Sequence, residues 1–238
     1  MANYFTLQCL LLASFLLIVT CPHEGSAAVS FNDNYYITWG NNHAQLLNQG
    51  TELQLTLDQT SGAGFESKAM FGSGSFTMRL KIPAKKSSGV VTAFYVSINQ
   101  FSLITVVAFT WLFVDNIPIR VFKNKADIGV SYPSQPMHVT GSLWNGTWAA
   151  GGIPIEWSQA PFQAYFQGFT VTACPLQDYR QRQLCYNPNL WWNRRNYWQL
   201  NRQQQALLER TRKSVLTYDY CTDKSRYPRQ PPECLYNQ

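Results

Sequence analysis

Charge is scarce in this chain. Only 13% of its 238 residues are Asp, Glu, Lys or Arg, which argues against a disordered polymer. The shortage is greatest on the acidic side, with 13 Asp and Glu against 19 Lys and Arg and a formal charge of +6. Histidine is rarer still, three in all. None falls in an HxH or HExxH spacing, so no metal centre is expected. There is no GxSxG elbow, no P-loop and no GxGxxG opening a helix, which removes the commonest hydrolase, nucleotide and dinucleotide signatures. No cofactor is implied. What is abundant is apolar and aromatic: 45% hydrophobic residues, 15% Phe, Trp and Tyr, with 14 Gly and 12 Pro as punctuation. That composition predicts a β-rich globular protein of one or two domains rather than a helical bundle.

The first residues carry an apolar run, Phe5 to Thr20, followed by the small residues Ser26, Ala27 and Ala28. This predicts a secretory signal peptide over 1–28, cut near Ala27 or Ala28. Its n-region has no Lys or Arg, and an uncleaved anchor is the alternative. A second apolar run, Phe101 to Val114, is too short to span a bilayer comfortably and reads as a buried strand pair. Cys9 and Cys21 would leave with the signal. The remaining Cys174, Cys185, Cys221 and Cys234 form an even set in the last quarter of the chain, as expected of two disulfides in an oxidising compartment. Of the three connectivities, the short loops favour Cys174–Cys185 and Cys221–Cys234. Zinc is the rival reading, but CxxC spacing is lacking.

Leu53, Leu55 and Leu57 alternate with polar residues, and so do Phe76, Met78, Leu80 and Ile82, which is the period of sheets with one buried face. Gly62, Gly64, Gly72, Gly74 and Gly89 read as turns between these runs, and the Gly72–Ser75 run likewise. Val90 to Val96 is apolar on both parities and predicts a central strand. The expected architecture is a β-sandwich or jelly roll. Beyond Cys174 the character changes. Residues 179–238 hold 11 of the 19 cations and four acids, so this tail is +7 and the rest sums to −1. Asn201 to Leu216 predicts a helix, and Leu216, Tyr218 and Tyr220 a strand after it.

Long stretches resemble the plant xyloglucan endotransglucosylase/hydrolases of glycoside hydrolase family 16. They are FNDNYYITWGNNHAQLLNQGTELQLTLDQTSGAGFESKAMFGSGSFTMRLKIP (31–83), SGVVTAFYVS (88–97), FVDNIPIRVFKN (113–124), YPSQPM (132–137), SLWNGTWAAGG (142–152) and WSQAPFQAYFQGF (157–169). The ending YDYCTDKSRYPRQPPEC (218–234) resembles the C-terminal extension of that family. The resemblance implies an all-β, concanavalin-like jelly roll over 29–170, a disulfide-clipped helix/strand extension over 171–238, a secreted, apoplastic, cell-wall location, and retaining cleavage and religation of xyloglucan. The implied partners are xyloglucan polysaccharide and oligosaccharide, bound by a monomer with no nucleic acid and no membrane once the signal is cut.

One departure matters. The family's catalytic strand reads His-Asp-Glu-(Ile or Leu)-Asp-Phe-Glu-Phe, with the first Glu as nucleophile and the last as acid/base. Residues at i, i+2 and i+4 of a strand share a face, and retaining transfer needs two carboxyl groups roughly 5 to 5.5 Å apart. The acids here are Asp33, Glu52, Asp58, Glu66, Asp115, Asp127, Glu156, Asp178, Glu209, Asp219, Asp223 and Glu233, with Glu24 in the leader. No three follow that spacing. Where the family enters its catalytic strand, this chain runs from Ser97 into Phe101 to Trp111 and rejoins at Phe113, so the sandwich is expected to be truncated near 98–112. An exon-skipped, frameshifted or mis-spliced product is the simplest account, inactive because it has no catalytic residue to offer, and the alternatives it leaves are a non-catalytic xyloglucan-binding protein or an unstable fragment. Asp115, beside Asn116 in a hairpin turn, and Glu66, in a turn-like stretch, read as solvated acids.

The resemblance implies a sugar-contacting loop at Thr147, Trp148 and Gly151, with Arg226 contributing from the extension or pairing with Asp223 or Glu233. The loop is one residue short, with Ala150 meeting Gly151 where the family carries an Arg. A flat indole suits a pyranose ring; Trp144 reads instead as a core residue. Asn145-Gly146-Thr147 is a glycosylation sequon. The cluster Trp191, Trp192, Arg194, Arg195, Tyr197, Trp198 resembles a single-strand nucleic-acid surface, but in an exported chain it reads as packing of the extension or as contact with acidic wall polysaccharide. His43 and His138 read as polar loop residues.

Overall fold

A computed structural model describes residues 28–84, 86–97, 109–123, 125–130, 135–194, 197 and 199–236. The expected leader, apart from Ala28, lies outside these residues, as does 101–108. The architecture is the all-β jelly-roll sandwich. Its strands are β1 (Tyr35–Trp39), β2 (Ala44–Leu47), β3 (Glu52–Leu57), β4 (Ala63–Ser67), β5 (Phe71–Phe76), β6 (Arg79–Lys81), β7 (Val90–Ser97), β8 (Phe109–Val114), β9 (Ile117–Lys123), β10 (His138–Asn145), β11 (Phe162–Gln167) and β12 (Val171–Pro175). One antiparallel sheet has the order β1-β4-β10-β7, and a second has β2-β3-β11-β6.

The core lies between these sheets because alternate residues of each strand face it. Leu53, Leu55 and Leu57 point inward from β3, Phe162, Ala164 and Phe166 from β11, Ala63 and Phe65 from β4, and Val139 and Leu143 from β10. Phe65 is the hub, meeting Phe31, Tyr35 and Phe166 edge-on at centroid distances of 5.4, 5.6 and 5.2 Å. Burial of each such ring contributes about 2 to 3 kcal/mol. Phe31 enters from the short helix α1 (Phe31–Asn34), whose first turn is held by the Ser30 N–H donating to Asp33 Oδ2 at 2.9 Å.

The C-terminal extension is attached at two places. Both expected disulfides form, Cys174–Cys185 and Cys221–Cys234, with Cα–Cα distances of 5.5 and 5.6 Å. The first anchors the extension beside the β5–β12 ribbon, where Ser73 Oγ donates to the Cys185 carbonyl at 2.9 Å. The predicted helix appears as α2 (Arg202–Val215), capped by Asn201 Oδ1 accepting the Gln204 N–H at 2.8 Å, and it packs on β9. Arg120 on β9 donates to Tyr220 Oη at 3.1 Å and lies over that ring.

Several expectations change. Gly64, Gly72 and Gly74 sit inside β4 and β5, not in turns, because neighbouring atoms occupy the space of a Cβ: the Trp39 indole, Cys185 Sγ and Ala173 respectively. The Phe76–Ile82 alternation is interrupted between β5 and β6, leaving Leu80 and Ile82 exposed. Among the described residues β7 pairs only with β10, so it is an edge strand with Tyr95 and Val96 exposed. β8 does pair with β9 across a turn at Asp115 and Asn116, both at positive φ (49° and 64°) as a tight hairpin demands. Its last residues, Phe113 and Val114, are however exposed, not buried. The strand expected at Leu216–Tyr220 is irregular chain, since Tyr218 and Tyr220 are engaged by Asp223 and Arg120 and among the described residues no strand pairs with their backbone. His138 lies in β10 with Nδ1 2.7 Å from the Ser67 carbonyl, and His43 is buried.

Candidate functional site

Residues opposite the core on β1, β4, β10 and β7 form an open face. The register aligns Tyr36, Glu66, Thr140 and Tyr95 in one row across four strands. The next row on β1 and β4 pairs Trp39 with Gly64, and the absence of a side chain at Gly64 makes room for the indole, whose Nε1 occupies the space a Cβ would fill. Tyr36, Trp39 and Tyr95 are all exposed aromatics. Beneath them Glu66 is only 7% exposed and accepts a hydrogen bond from Tyr36 Oη. That bond, then desolvation and the negative charge of Glu66, hold the Tyr36 phenol above its usual pKa. Beside it Ser97 Oγ and Thr140 Oγ1 are 2.9 Å apart. A row of exposed aromatics with interleaved hydroxyls and one carboxylate suits sugar rings and their hydroxyl groups.

Glu66 is therefore neither in a turn nor a solvated acid, as its position in the sequence suggested. Its parity with Gly64, opposite to Phe65, was the available signal; it was hidden because every residue of β4 is buried. Tyr36, Trp39 and Tyr95 were missed for a related reason, since nothing local says that they share one face.

β10 leads from this face into the expected sugar loop. Asn145 is exposed at the strand end opposite Val90, as a glycan acceptor would need. A short turn, Thr147–Ala150, follows, closed by the Ala149, Gly151 and Gly152 N–H groups donating to the carbonyls of Gly146, Trp148 and Thr147. Gly151 and Gly152 take positive φ of 66° and 86°, which glycine adopts at no steric cost. Trp148 stands on this turn 72% exposed, with its ring centroid 6.2 Å from that of Trp144. Trp144 is thus a half-buried neighbour on the open side, outside the core cluster expected for it. Thr147, Trp148 and Gly151 are contiguous in space. Arg226 lies apart: among the described residues no hydrogen bond or ring contact joins it to this loop. Its guanidinium lies over Tyr227, its backbone N–H donates to Asp223 Oδ1, and among the described residues it forms no ion pair with Asp223 or Glu233.

Several other carboxylates serve local structure. Asp58, in the turn after β3, accepts from the Thr60 hydroxyl and N–H and from Ser61, and lies 3.0 Å from His43 Nε2. These donors, Thr60 first, hold its carboxyl far below the usual range. Asp178 pairs with Arg180 and Asp219 with Arg212. A shallow depression bounded by Lys81, Ile82, Pro161 and Tyr165 lies on the outside of the second sheet and holds no carboxylate. Among the described residues no group of three metal-binding side chains converges, and no helix is long and apolar enough to cross a membrane.

This fold and face belong to a class of carbohydrate-active β-sandwiches: the family model "Glycosyl hydrolases family 16" matches residues 31–103 and 107–160, and "Xyloglucan endo-transglycosylase (XET) C-terminus" matches 186–234. Xyloglucan endotransglucosylase/hydrolase protein 2 of Arabidopsis thaliana is 38% identical over 268 residues, covering 90% of this chain and 92% of the relative. Protein 3 of the same plant is 38% identical over 260 residues (87% and 89%), and a xyloglucan endotransglucosylase/hydrolase of Brassica oleracea var. botrytis is 34% identical over 281 (94% and 95%). The chain belongs to the xyloglucan endotransglucosylase/hydrolase family. The Brassica alignment runs over 281 positions against the 238 residues available here, 43 more than the chain possesses. The family match pauses at 104–106, inside the Phe101–Trp111 stretch expected to replace a central block, while both ends of that stretch fall within it.

Proposed function

We propose that this chain is a secreted, cell-wall xyloglucan-binding member of its family that does not turn over glycosidic bonds. The observation that carries the reading is the solitary carboxylate. Every Asp and Glu after the leader falls among the described residues, and only Glu66 belongs to the open face of the sheet. Retaining transfer needs a nucleophile and a proton donor roughly 5 to 5.5 Å apart, and one carboxylate tied to a phenol offers neither pair. The surplus of aligned positions in the relatives supports the loss of a central block. Paired disulfides suit an oxidising, extracytoplasmic compartment, in keeping with a signal peptide over 1–28. The domains are then the sandwich over 29–170 and the extension over 171–238. Tyr36, Trp39, Tyr95 and Trp148 offer rings against which neutral pyranoses pack, with Thr147 and Gly151 shaping the loop and Arg226 acting locally in the extension.

The test is to incubate the purified protein with xyloglucan and a labelled xyloglucan oligosaccharide acceptor, and in parallel to run it through a xyloglucan affinity gel. Retention without any labelled transfer product is expected. Turnover that follows the protein through purification and disappears in Glu66→Gln would overturn the reading.

A further inference from the structure

The extension carries an aromatic corner of its own. The turn Trp191–Asn193 continues into Arg194, whose N–H donates to the Trp191 carbonyl at 3.2 Å, and the Tyr197 N–H then donates to the Arg194 carbonyl at 3.0 Å. These two hydrogen bonds link Trp191 to Arg194 and Arg194 to Tyr197, three residues apart in each case. The Trp191 and Tyr197 rings meet at 5.0 Å and 65°, the Trp191 and Trp192 rings at 5.6 Å and 83°. Behind them Trp192 Nε1 donates to Ser73 Oγ at 3.0 Å, and Asn193 Nδ2 donates to the Cys185 carbonyl at 2.7 Å. The corner is thus fastened to β5 and to a disulfide, and its geometry is set before any ligand arrives. Even so, Trp191 and Tyr197 remain 39% and 38% exposed. Arg194 is exposed and makes no ion pair among the described residues.

We propose that Trp191, Arg194 and Tyr197 form a binding site for an acidic polysaccharide, a polymer of uronic acids. A pyranose presents a C–H face that packs on an indole, and a C6 carboxylate beside it accepts two parallel N–H bonds from a guanidinium. A neutral polysaccharide leaves the guanidinium unused. The +7 of residues 179–238, set against −1 for the remainder, attracts a polyanion to this end of the molecule.

The test uses the full chain with four probes: polygalacturonate, fully methyl-esterified pectin, xyloglucan and single-stranded DNA. Wild type binds polygalacturonate in low salt, releases it as salt rises, and loses it on methyl esterification. Arg194→Gln weakens polygalacturonate binding about tenfold, the equivalent of one charge-assisted contact. Arg194→Lys recovers part of this loss, because an ammonium keeps the charge but not the fork. Trp191→Ala weakens the same binding and leaves xyloglucan retention unchanged, which separates this site from the sheet face. Since Trp191 also packs on Trp192, Arg194→Gln is the decisive variant, its side chain lying in solvent. The proposal is overturned if Arg194→Gln binds polygalacturonate as wild type does, if the methyl ester binds equally, or if DNA binds as tightly as polygalacturonate.

Discussion

Tyr35 carries a hydroxyl into the centre of the sandwich, where its ring packs on Phe31 and Phe65 but its oxygen, among the described residues, finds no hydrogen-bond partner. Burial accordingly pushes the phenol up to about 12. A buried polar atom without a partner costs about 1 to 3 kcal/mol, so Tyr35→Phe should stabilise the protein by about 1 kcal/mol, read as a higher denaturant midpoint at unchanged slope. A lower midpoint would mean that the hydroxyl is satisfied after all. Asp58 presents the opposite sign. Its donors lower the folded pKa below the unfolded value of about 3.9, so the folded state binds fewer protons there. The stabilisation is present above that value and is lost as pH falls through the folded one. Asp58→Asn should therefore flatten the acid limb of the stability curve below about pH 4, measured by unfolding at fixed denaturant across pH, while leaving its shape near neutrality unchanged.

At the scale of elements, the ribbon of β5 and β12 joins sandwich and extension. Gly72 on β5 faces the disulfide so closely that an added Cβ would stand 2.9 Å from Cys185 Sγ and 3.2 Å from Leu176 Cδ2. Neither neighbour is the loose end of a flexible chain, since Cys185 is bonded to Cys174 and Leu176 is buried. Gly72→Ala should cost about 1 to 3 kcal/mol through overpacking and expose the disulfide to faster reduction by thiol. An unchanged reduction rate would place the accommodation elsewhere. This close packing also explains why the sequence misled at Gly72–Ser75. Glycine and serine in a run carry the composition of a turn, and only the presence of Cys185 across the ribbon reveals that smallness, not backbone freedom, is required. Where the signal is local it was legible: the period-two pattern of β3, the hairpin turn at Asp115–Asn116, the helix following Asn201 and both short disulfide loops. Where it depends on what lies opposite, it was not: β7 has the apolar content of a central strand yet lies at an edge, and Glu66 has the look of a loop acid yet sits in the middle of a sheet.

For the whole molecule, charge divides between sandwich and extension, while each presents its own exposed aromatics. The sandwich is near neutral and presents Tyr36, Trp39, Tyr95 and Trp148 from one sheet and its loop, while the extension holds the positive charge. A face that packs on a neutral polysaccharide gains from apolar contact and hydroxyl hydrogen bonds, which salt hardly screens. Trp148 is the sharpest probe of that face, because at 72% exposure its removal leaves little cavity in the folded protein. Trp148→Ala should weaken xyloglucan binding by about 1 to 2 kcal/mol, roughly tenfold, at an unchanged melting temperature and equally at low and high salt. If the loss instead shrinks with salt, electrostatics carry the contact and Trp148 is not the platform. If binding does not change at all, the row of Tyr36, Trp39 and Tyr95 holds the polysaccharide alone, and the loop that follows β10 serves the fold rather than the ligand.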